Sequence, residues 1–211
     1  MKQRQASADN QGQRERILEQ SAELFWERGF HGSSMNDVAD AVGLRKPSLY
    51  HYITNKEDLL FELSAASLEH IAAAADSVAD SEPVSRLRAL MTAHVEALLS
   101  DQAMHATALV ELRALPPEQR KKIVRMRDSY AASFDAAVRD VQKVSDIWVG
   151  LDPELVTFGL LGMLNWVVFW FKPSGKYSSS KVAETLVTMA LGDVEREPQR
   201  PKAARGARNA R

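Results

Sequence analysis

Apolar residues recur every three to four positions along most of the chain, and no segment alternates strictly between apolar and polar residues. Spacings of three and four place side chains on one face of an α-helix, whereas a half-buried strand requires alternation. The pattern therefore predicts an all-α fold. A first helix is expected over 14–28, ending at Gly29, because glycine readily takes the conformation that ends a helix. Turn-forming clusters divide the remainder into longer helices at 81–83, 99–102, 116–118, 150–153 and 172–180.

Two short helices with clear end signals are predicted directly after the first helix. Ser34 can cap the first of them in an S-x-x-D pattern with Asp37, and Gly43 ends it. The second is expected over 45–52, where Pro47 falls in the first turn and costs no helical hydrogen bond. Two short helices joined by a turn that contains glycine have the spacing of a helix-turn-helix unit.

The same two helices separate apolar positions from polar ones. A small core against the first helix is expected from Val38, Val42, Leu44, Leu49 and Ile53. Side chains suited to phosphate oxygens and base edges are left on the other face. They are Arg45, Lys46, Ser48, His51 and Tyr52. A further helix begins after Thr54 or Asn55, and Thr54 is expected to form a capping box with Glu57.

Positive charge is local and does not dominate the chain. The composition, 45% hydrophobic and 26% charged, is that of a folded globular protein, and the formal net charge is -1. Residues 41–56 nevertheless carry three bases and no acid, and residues 196–211 carry six bases against one acid. Binding to a polyanion is therefore expected at particular segments, while the whole protein has no attractive bulk charge.

The sequence contains no catalytic constellation. Its 211 residues include no cysteine, which excludes disulfides and cysteine-bound zinc. It lacks the H-E-x-x-H, phosphate-loop and G-x-S-x-G motifs, and its five histidines are scattered. We therefore expect a protein that is not an enzyme and that has neither a metal site nor a cofactor. The polar N-terminal sequence lacks the apolar core of a signal peptide, so a cytoplasmic location is expected.

An uncharged run, LVTFGLLGMLNWVVFWF, covers residues 155–171. Its length is at the lower limit for crossing a bilayer, about 17 residues. It also includes an asparagine and two glycines. The alternative is a helix buried on nearly all sides inside the protein or between two copies of it. This second interpretation is favoured, and no membrane partner is expected.

Residues 33–60 read SSMNDVADAVGLRKPSLYHYITNKEDLL and follow AELFWERGFHGSS. These stretches resemble the second helix, turn, recognition helix and start of helix four, and the end of helix one, in the TetR family of transcriptional regulators. The resemblance implies operator contacts by Lys46, Ser48, Tyr50, His51 and Tyr52, and phosphate contacts by Ser34 and Lys56 at two helix starts.

Two positions in the recognition helix depart from the family pattern. Arg45 stands where a capping serine or threonine is usual, and Pro47 stands where a small residue is commoner. Arg45 either adds a phosphate contact or weakens the helix cap by about 1 kcal/mol. Both interpretations remain open at the sequence level.

The sequence divides into four parts. We expect a flexible basic arm (1–13), a helix-turn-helix DNA-binding domain (14–60), a larger helical ligand-binding and dimerisation domain (61–194), and a disordered basic tail (195–211). One helix-turn-helix unit makes too few contacts for tight specific binding, so two copies are expected on a palindromic double-stranded operator. The homodimer is predicted to form through 153–171 and 180–194, in agreement with the TetR resemblance.

The helix that follows Pro117 carries a charge inside an apolar stripe. The stripe comprises Ile123, Tyr130, Phe134, Ala137 and Val141, and Arg127 falls within it. Because an unpaired charge is rarely buried, Arg127 either pairs with an acid, with Glu111 as the candidate, or faces a cavity whose ligand is anionic. Further residues that are either core positions or ligand contacts are His94, Tyr130, Phe134, Phe158, Asn165, Trp166 and Trp170.

NWVVFWFKPSG, from Asn165, and ELRALPPEQRKKIVRMRDSY, from Glu111, also resemble a TetR subgroup. Its members repress fatty-acid or steroid catabolism genes and release DNA on binding acyl-CoA thioesters. The resemblance implies an apolar chamber for an acyl chain, with Arg113, Arg127 or residues 120–122 at the CoA phosphates. A repressor released by a small hydrophobic or acyl-CoA-type effector is therefore predicted. The alternative is an architectural or partitioning protein that binds DNA without any effector.

Overall fold

The computed structural model describes residues 2–192, with side chains from residue 10 onward, and all regular structure in that range is helical. The helices are α1 (Lys2–Arg28), α2 (Met35–Val42), α3 (Lys46–Leu49), α4 (Lys56–Asp76), α5 (Pro83–Ser100), α6 (Gln102–Val110), α7 (Pro117–Val144), α8 (Pro153–Asn165), α9 (Val167–Trp170) and α10 (Ser179–Leu191), with a 3-10 helix at Glu111–Ala114. The all-α prediction is confirmed. The basic tail predicted at 195–211 lies outside the described residues.

Helix α1 starts at Lys2, well before the start predicted at residue 14. The polar sequence KQRQASADNQGQ provides no apolar stripe, and so it gave no sign of a packed helix. Glutamine, arginine, lysine and alanine are nevertheless good helix formers, and the segment contains no proline. A helix nucleated over the packed part of α1 can therefore extend toward the N-terminus without tertiary contacts.

The first three helices and the start of α4 enclose a small core, as predicted. Val38, Val42, Leu49 and Ile53 are buried together with Ile17 and Phe25 of α1, and Leu44 packs at the edge. Gly43 ends α2 with a φ of 70°, a left-handed conformation that favours glycine.

Two local predictions in this region are wrong. Helix α3 covers only Lys46–Leu49, and residues 50–52 continue as tight turns in which the Tyr52 N–H donates to Leu49 O at 2.9 Å. The cap of α4 is Asn55, whose side chain accepts from the Asp58 N–H at 2.7 Å, so the capping box expected from Thr54 does not form. Asn55 has the extended backbone that a cap requires, and an asparagine is a better cap than a threonine.

A second, larger core lies among α4, α5, α7, α8, α9 and α10. Helix α5 is central to it, because α5 contacts α4, α7, α8, α9 and α10. Its buried face includes Leu87, Met91, Val95 and Leu98. Helix α4 contacts α1 and also α5, α6 and α7. It therefore joins the two cores physically.

The uncharged run forms two helices instead of one. Helix α8 ends at Asn165, and a tight turn at Trp166, in which the Phe169 N–H donates to Trp166 O, precedes α9. By length and composition, Pro153–Trp170 is apolar enough to cross a membrane, but core helices of soluble proteins are often equally apolar. Only 28% of this segment is buried inside the single chain. Within the single chain the segment is therefore not buried on nearly all sides, because one side of α8 faces outward. Its burial between two copies stays a prediction.

Candidate functional site

The segment 45–52 presents polar side chains on the outer surface of the N-terminal domain. Arg45, Lys46, Tyr50 and His51 are exposed and Ser48 is half-buried, while Leu49 between them is fully buried. Burial of Leu49 anchors the segment and fixes which side chains face outward. The exposed set can donate hydrogen bonds to phosphates and base edges. Arg45 occupies the N-cap position of α3 without capping it, so the side chain stays available for another contact.

Ser34 has a structural role at the start of α2. Its hydroxyl accepts from the Asp37 N–H, and the Asp37 carboxylate accepts from the Ser34 N–H at 2.8 Å, which completes the predicted capping box. The hydrogen bonds from the Ser34 side chain and backbone lower the pKa of Asp37, and Arg28 lies 3.5 Å from the same carboxylate. The phosphate contact inferred for Ser34 stays a prediction.

Lys56 and Tyr52 are less available for DNA than the resemblance implied. The Lys56 ammonium donates to Phe30 O and to Ser33 O, each at 2.8 Å, and lies 4.2 Å from the centre of the Phe30 ring. It therefore fixes the turn between α1 and α2. Tyr52 is half-buried and packs against the small core, so it is not on a fully free face.

A cavity of about 210 Å³ lies among α4, α5, α6, α7 and α8. Its apolar wall includes Leu68, Ile71, Leu98, Leu109, Phe158 and Leu161. Its polar wall includes Ser67, His94, His105, Arg127, Tyr130, Asn165 and the exposed Asp128. The structure thus brings five predicted ligand residues, His94, Arg127, Tyr130, Phe158 and Asn165, to a single cavity.

Three polar residues from three helices form a chain on one side of this cavity. His94 Nε2 lies 3.2 Å from Asn165 Oδ1, and His94 Nδ1 lies 2.7 Å from the Tyr130 hydroxyl. Because a carboxamide oxygen only accepts, Nε2 carries the proton, and the Tyr130 hydroxyl donates to Nδ1. Burial lowers the pKa of His94 to about 4, opposed by the bond to Asn165, and burial raises the pKa of Tyr130. All three groups are therefore neutral at pH 7.

Arg127 lies in the cavity wall without a carboxylate partner in the described part of the chain. Its guanidinium donates to Ala108 O, the carbonyl near the end of α6, and burial lowers its pKa. The predicted ion pair with Glu111 is wrong, because the Glu111 carboxylate accepts from the Phe30 N–H at 3.1 Å instead. The other alternative, a cavity that receives an anionic group, is the one this geometry favours.

The remaining predicted ligand residues lie outside the cavity. Phe134 is fully buried behind it and packs against His94 and Tyr130. Arg113 is exposed on the 3-10 helix. Trp166 and Trp170 are 63% and 47% exposed on the outer side of α8 and α9.

Sequence reasoning missed a second polar group in the cavity wall. His105 Nδ1 lies 2.7 Å from Ser67 Oγ, and His105 Nε2 lies 3.2 Å from His70 Nδ1. Burial first, and then the neighbouring histidines, lower the pKa of His105 to about 3. The only sequence signal was a histidine on the apolar face of α6, and nothing local indicates its partners on α4.

An apolar stripe on α8 faces outward. It consists of Leu155, Phe158, Gly159 and Gly162, with Trp166 directly after the helix, and Leu155 is 69% exposed. No atom lies within 4 Å of where a side chain would start at either glycine, so another helix has room to approach closely. On α10, Met189 is 71% exposed, and Trp170 borders a groove with Lys181 and Thr185. Exposed apolar surface of this kind marks an interaction site.

Comparison with known proteins agrees with both halves of the fold. Residues 17–63 match the family described as bacterial regulatory proteins, tetR family, and residues 80–194 match the tetracyclin repressor-like C-terminal domain. The chain is 30% identical to the HTH-type transcriptional repressor KstR2 of Rhodococcus jostii, across 85% of this chain and 90% of that protein.

Two solved structures are also similar. The TetR family transcriptional regulator PfmR of Thermus thermophilus is 32% identical with a TM-score of 0.78, covering 85% of this chain and 99% of that one. AibR, in complex with isovaleryl coenzyme A and operator DNA, is 28% identical with a TM-score of 0.73, covering 85% and 98%. The chain therefore belongs to the TetR family and is a DNA-binding transcriptional repressor of that type, not an enzyme.

Proposed function

We propose that this repressor binds a palindromic operator as a homodimer and is released from it by a small hydrophobic or acyl-CoA-type effector. The observation that carries the proposal is Arg127, a partly buried cation in the cavity wall that donates to Ala108 O and forms no ion pair among the described residues, although Asp128 lines the same cavity. A buried charge without a partner is costly, and a ligand anion would remove that cost. DNA binding places the proposed site of action in the cytoplasm.

The operator contacts are proposed for the exposed residues of the recognition segment. Arg45, Lys46, Tyr50 and His51 point outward, and Ser48 lies between them. Two such segments must lie about one DNA turn, roughly 34 Å, apart to read a palindrome. The apolar stripe on α8 and the exposed side of α10 are the surfaces we propose for dimerisation.

The effector class follows from the size and charge of the cavity. A volume of about 210 Å³ is smaller than the roughly 300 to 1,000 Å³ of typical ligand pockets, so it suits a short acyl group and not a whole coenzyme. Arg127 in the cavity wall, together with the exposed bases Arg113, Arg120, Lys121 and Lys122 on the 3-10 helix and the first turns of α7, is available for the phosphates. AibR, which is similar to this chain, was solved with isovaleryl coenzyme A.

A continuous route connects the cavity to the DNA-binding domain. Arg127 holds Ala108 O near the end of α6, the Thr107 hydroxyl on α6 donates to Ala22 O of α1, and Glu111 accepts from the Phe30 N–H. A ligand that competes for Arg127 would therefore disturb contacts that position α1. Release requires that the ligand binds the released state more tightly than the DNA-bound state.

Selection from random duplex DNA, followed by native mass spectrometry of the purified protein, tests the proposal. We expect an inverted repeat to be enriched and an acyl-CoA or similar anionic ligand to bind one per subunit. Enrichment of no sequence, together with no ligand bound from an acyl-CoA panel, would support the architectural alternative. Thermal shift with the same panel provides an independent readout, because binding raises apparent stability.

A further inference from the structure

The wall of the cavity is not a plain hydrocarbon surface. Tyr130, His94 and Asn165 line it in a hydrogen-bonded chain, and Ser67 with His105 line the side next to α4. A chamber that accepts only an alkyl chain gains nothing from buried polar groups, since their unused donors and acceptors are left without water.

The hydrogen bonds among Tyr130, His94 and Asn165 leave some of their donors and acceptors unused. Asn165 Oδ1 accepts from His94, so the two N–H bonds of its amide nitrogen remain, and no protein acceptor is within hydrogen-bond distance of them among the described residues. The Tyr130 hydroxyl donates to His94, which leaves its oxygen lone pairs. The cavity therefore offers donors from Asn165 beside an acceptor on Tyr130.

Such a pair matches an oxygen function on the ligand. A carbonyl oxygen can accept from the Asn165 amide, and a hydroxyl can both accept from Asn165 and donate to Tyr130. Neutral His94 fixes this arrangement, because it holds the Asn165 oxygen and the Tyr130 proton in one orientation each.

We infer that the enclosed end of the effector carries an oxygen substituent, as in a 3-oxo or 3-hydroxy acyl group, and is not a plain saturated chain. This inference rests on the proposed function, because it assumes that the cavity binds the acyl part of a thioester. A site built to hydrogen-bond a ligand oxygen rejects the analogue that lacks it. The effector is then an intermediate of acyl-chain oxidation, and not the unoxidised starting compound.

Three thioesters of equal chain length provide the test: butyryl-CoA, 3-hydroxybutyryl-CoA and 3-oxobutyryl-CoA. Isothermal titration of the full-length protein would give the dissociation constant of each. We expect at least one oxygenated thioester to bind about tenfold or more tightly than butyryl-CoA, the effect of one net hydrogen bond.

Two variants separate recognition from a structural role. Tyr130→Phe removes only the hydroxyl, and Asn165→Leu removes the amide at similar volume. Each should cut the preference for the oxygenated thioester to near one, because the oxygenated thioester loses more affinity than butyryl-CoA does. Operator binding without ligand checks the fold. An equal loss for all thioesters in Tyr130→Phe would show a structural role only and overturn the inference.

The three dissociation constants of the wild-type protein distinguish this inference from the acyl-CoA proposal on which it rests. Butyryl-CoA binding as tightly as both oxygenated thioesters would overturn the inference and leave the acyl-CoA proposal standing. Binding of none of the three would overturn the proposed effector class, and the inference with it.

Discussion

At the scale of single residues, two lysines beside the recognition segment have different surroundings. Lys46 is exposed on α3, and its side chain makes no hydrogen bond or ion pair with any described residue. We expect Lys46→Ala to lower the slope of log affinity against log salt by about one unit, since one phosphate contact is lost. Fluorescence anisotropy on a duplex at several salt concentrations measures it. Lys121→Ala, at another exposed lysine, is the matched control and should leave the salt slope unchanged. An unchanged slope in Lys46→Ala would contradict the phosphate contact.

For Lys56 we expect an effect on stability and almost none on the salt slope. Its ammonium holds two carbonyl oxygens of the turn after α1, so Lys56→Met leaves both without this donor. We expect the free energy of unfolding to fall by about 2 kcal/mol in urea titrations, with the salt slope nearly unchanged. A stable Lys56→Met protein whose salt slope drops by one unit would instead restore the phosphate role implied by the TetR resemblance.

His94 makes stability depend on pH. Its pKa is lowered to about 4 from 6.5, so below pH 6.5 the unfolded chain binds more protons than the folded one. Stability is therefore fully present above pH 6.5 and falls as the pH drops toward 4, by about 2 kcal/mol between pH 7 and 5 from this group.

Urea unfolding of His94→Gln at the two pH values checks this expectation. The variant should lose about 2 kcal/mol less than the wild type between pH 7 and 5. The exposed residue His31 provides the control substitution His31→Gln. Equal losses in the wild type and His94→Gln would contradict a buried, neutral His94.

Local residue patterns were predictable, and contacts between distant segments were not. The Ser34 and Asp37 cap lies within four residues, and the buried positions of α2 and α3 follow helical spacing. Lys56 and Phe30 are 26 positions apart, and Ser67 and His105 are 38 apart. Sequence spacing within one helix contains no information about such pairs, so it predicts neither the contacts of Lys56 with the turn after α1 nor those of His105 with α4.

At the scale of helices, the 3-10 helix between α6 and α7 links the ligand-binding domain to the DNA-binding domain. Glu111 on it accepts from the Phe30 N–H, a bond that joins positions 81 apart. We expect Glu111→Ala to weaken the effect of ligand on DNA affinity. Ligand affinity in the absence of DNA should stay the same, because the substitution removes the bond to the Phe30 N–H and does not change the cavity wall.

Paired titrations test this coupling. Operator affinity is measured with and without a saturating concentration of the tightest-binding short-chain acyl-CoA. The ratio of the two affinities is compared between Glu111→Ala and Glu118→Ala, an exposed acid at the start of α7. If the ratio in Glu111→Ala equals the ratio in Glu118→Ala, the bond between Glu111 and the Phe30 N–H does not transmit the signal.

Helix boundaries were predictable where caps and prolines mark them. Glu82 and Asp152 cap α5 and α8 directly before prolines, as their sequences indicate. The start of α1 and the turn at Trp166 were not predictable. The first depends on propagation of a polar helix, and the second lies inside an apolar run with no breaker beyond two glycines.

At the scale of the whole molecule, the outward apolar surfaces of α8 and α10 are expected to hold two copies together. Met189 is 71% exposed on α10, and a charge there would be buried in the interface. We expect Met189→Glu to shift the protein to monomer in sedimentation and to weaken operator binding strongly. Val124→Glu on α7, at another exposed apolar position, should leave the dimer intact. A dimeric Met189→Glu protein would place the interface elsewhere.

The central claim is that a ligand in the cavity controls DNA binding, and operator affinity with and without ligand tests it most directly. The selected operator is titrated by anisotropy at fixed salt, with the tightest-binding short-chain acyl-CoA present or absent, for the wild type and for Arg127→Met. The account predicts that the thioester weakens operator binding at least tenfold in the wild type and much less in Arg127→Met. Operator affinity that is the same with and without every acyl-CoA of a short-chain panel would contradict it.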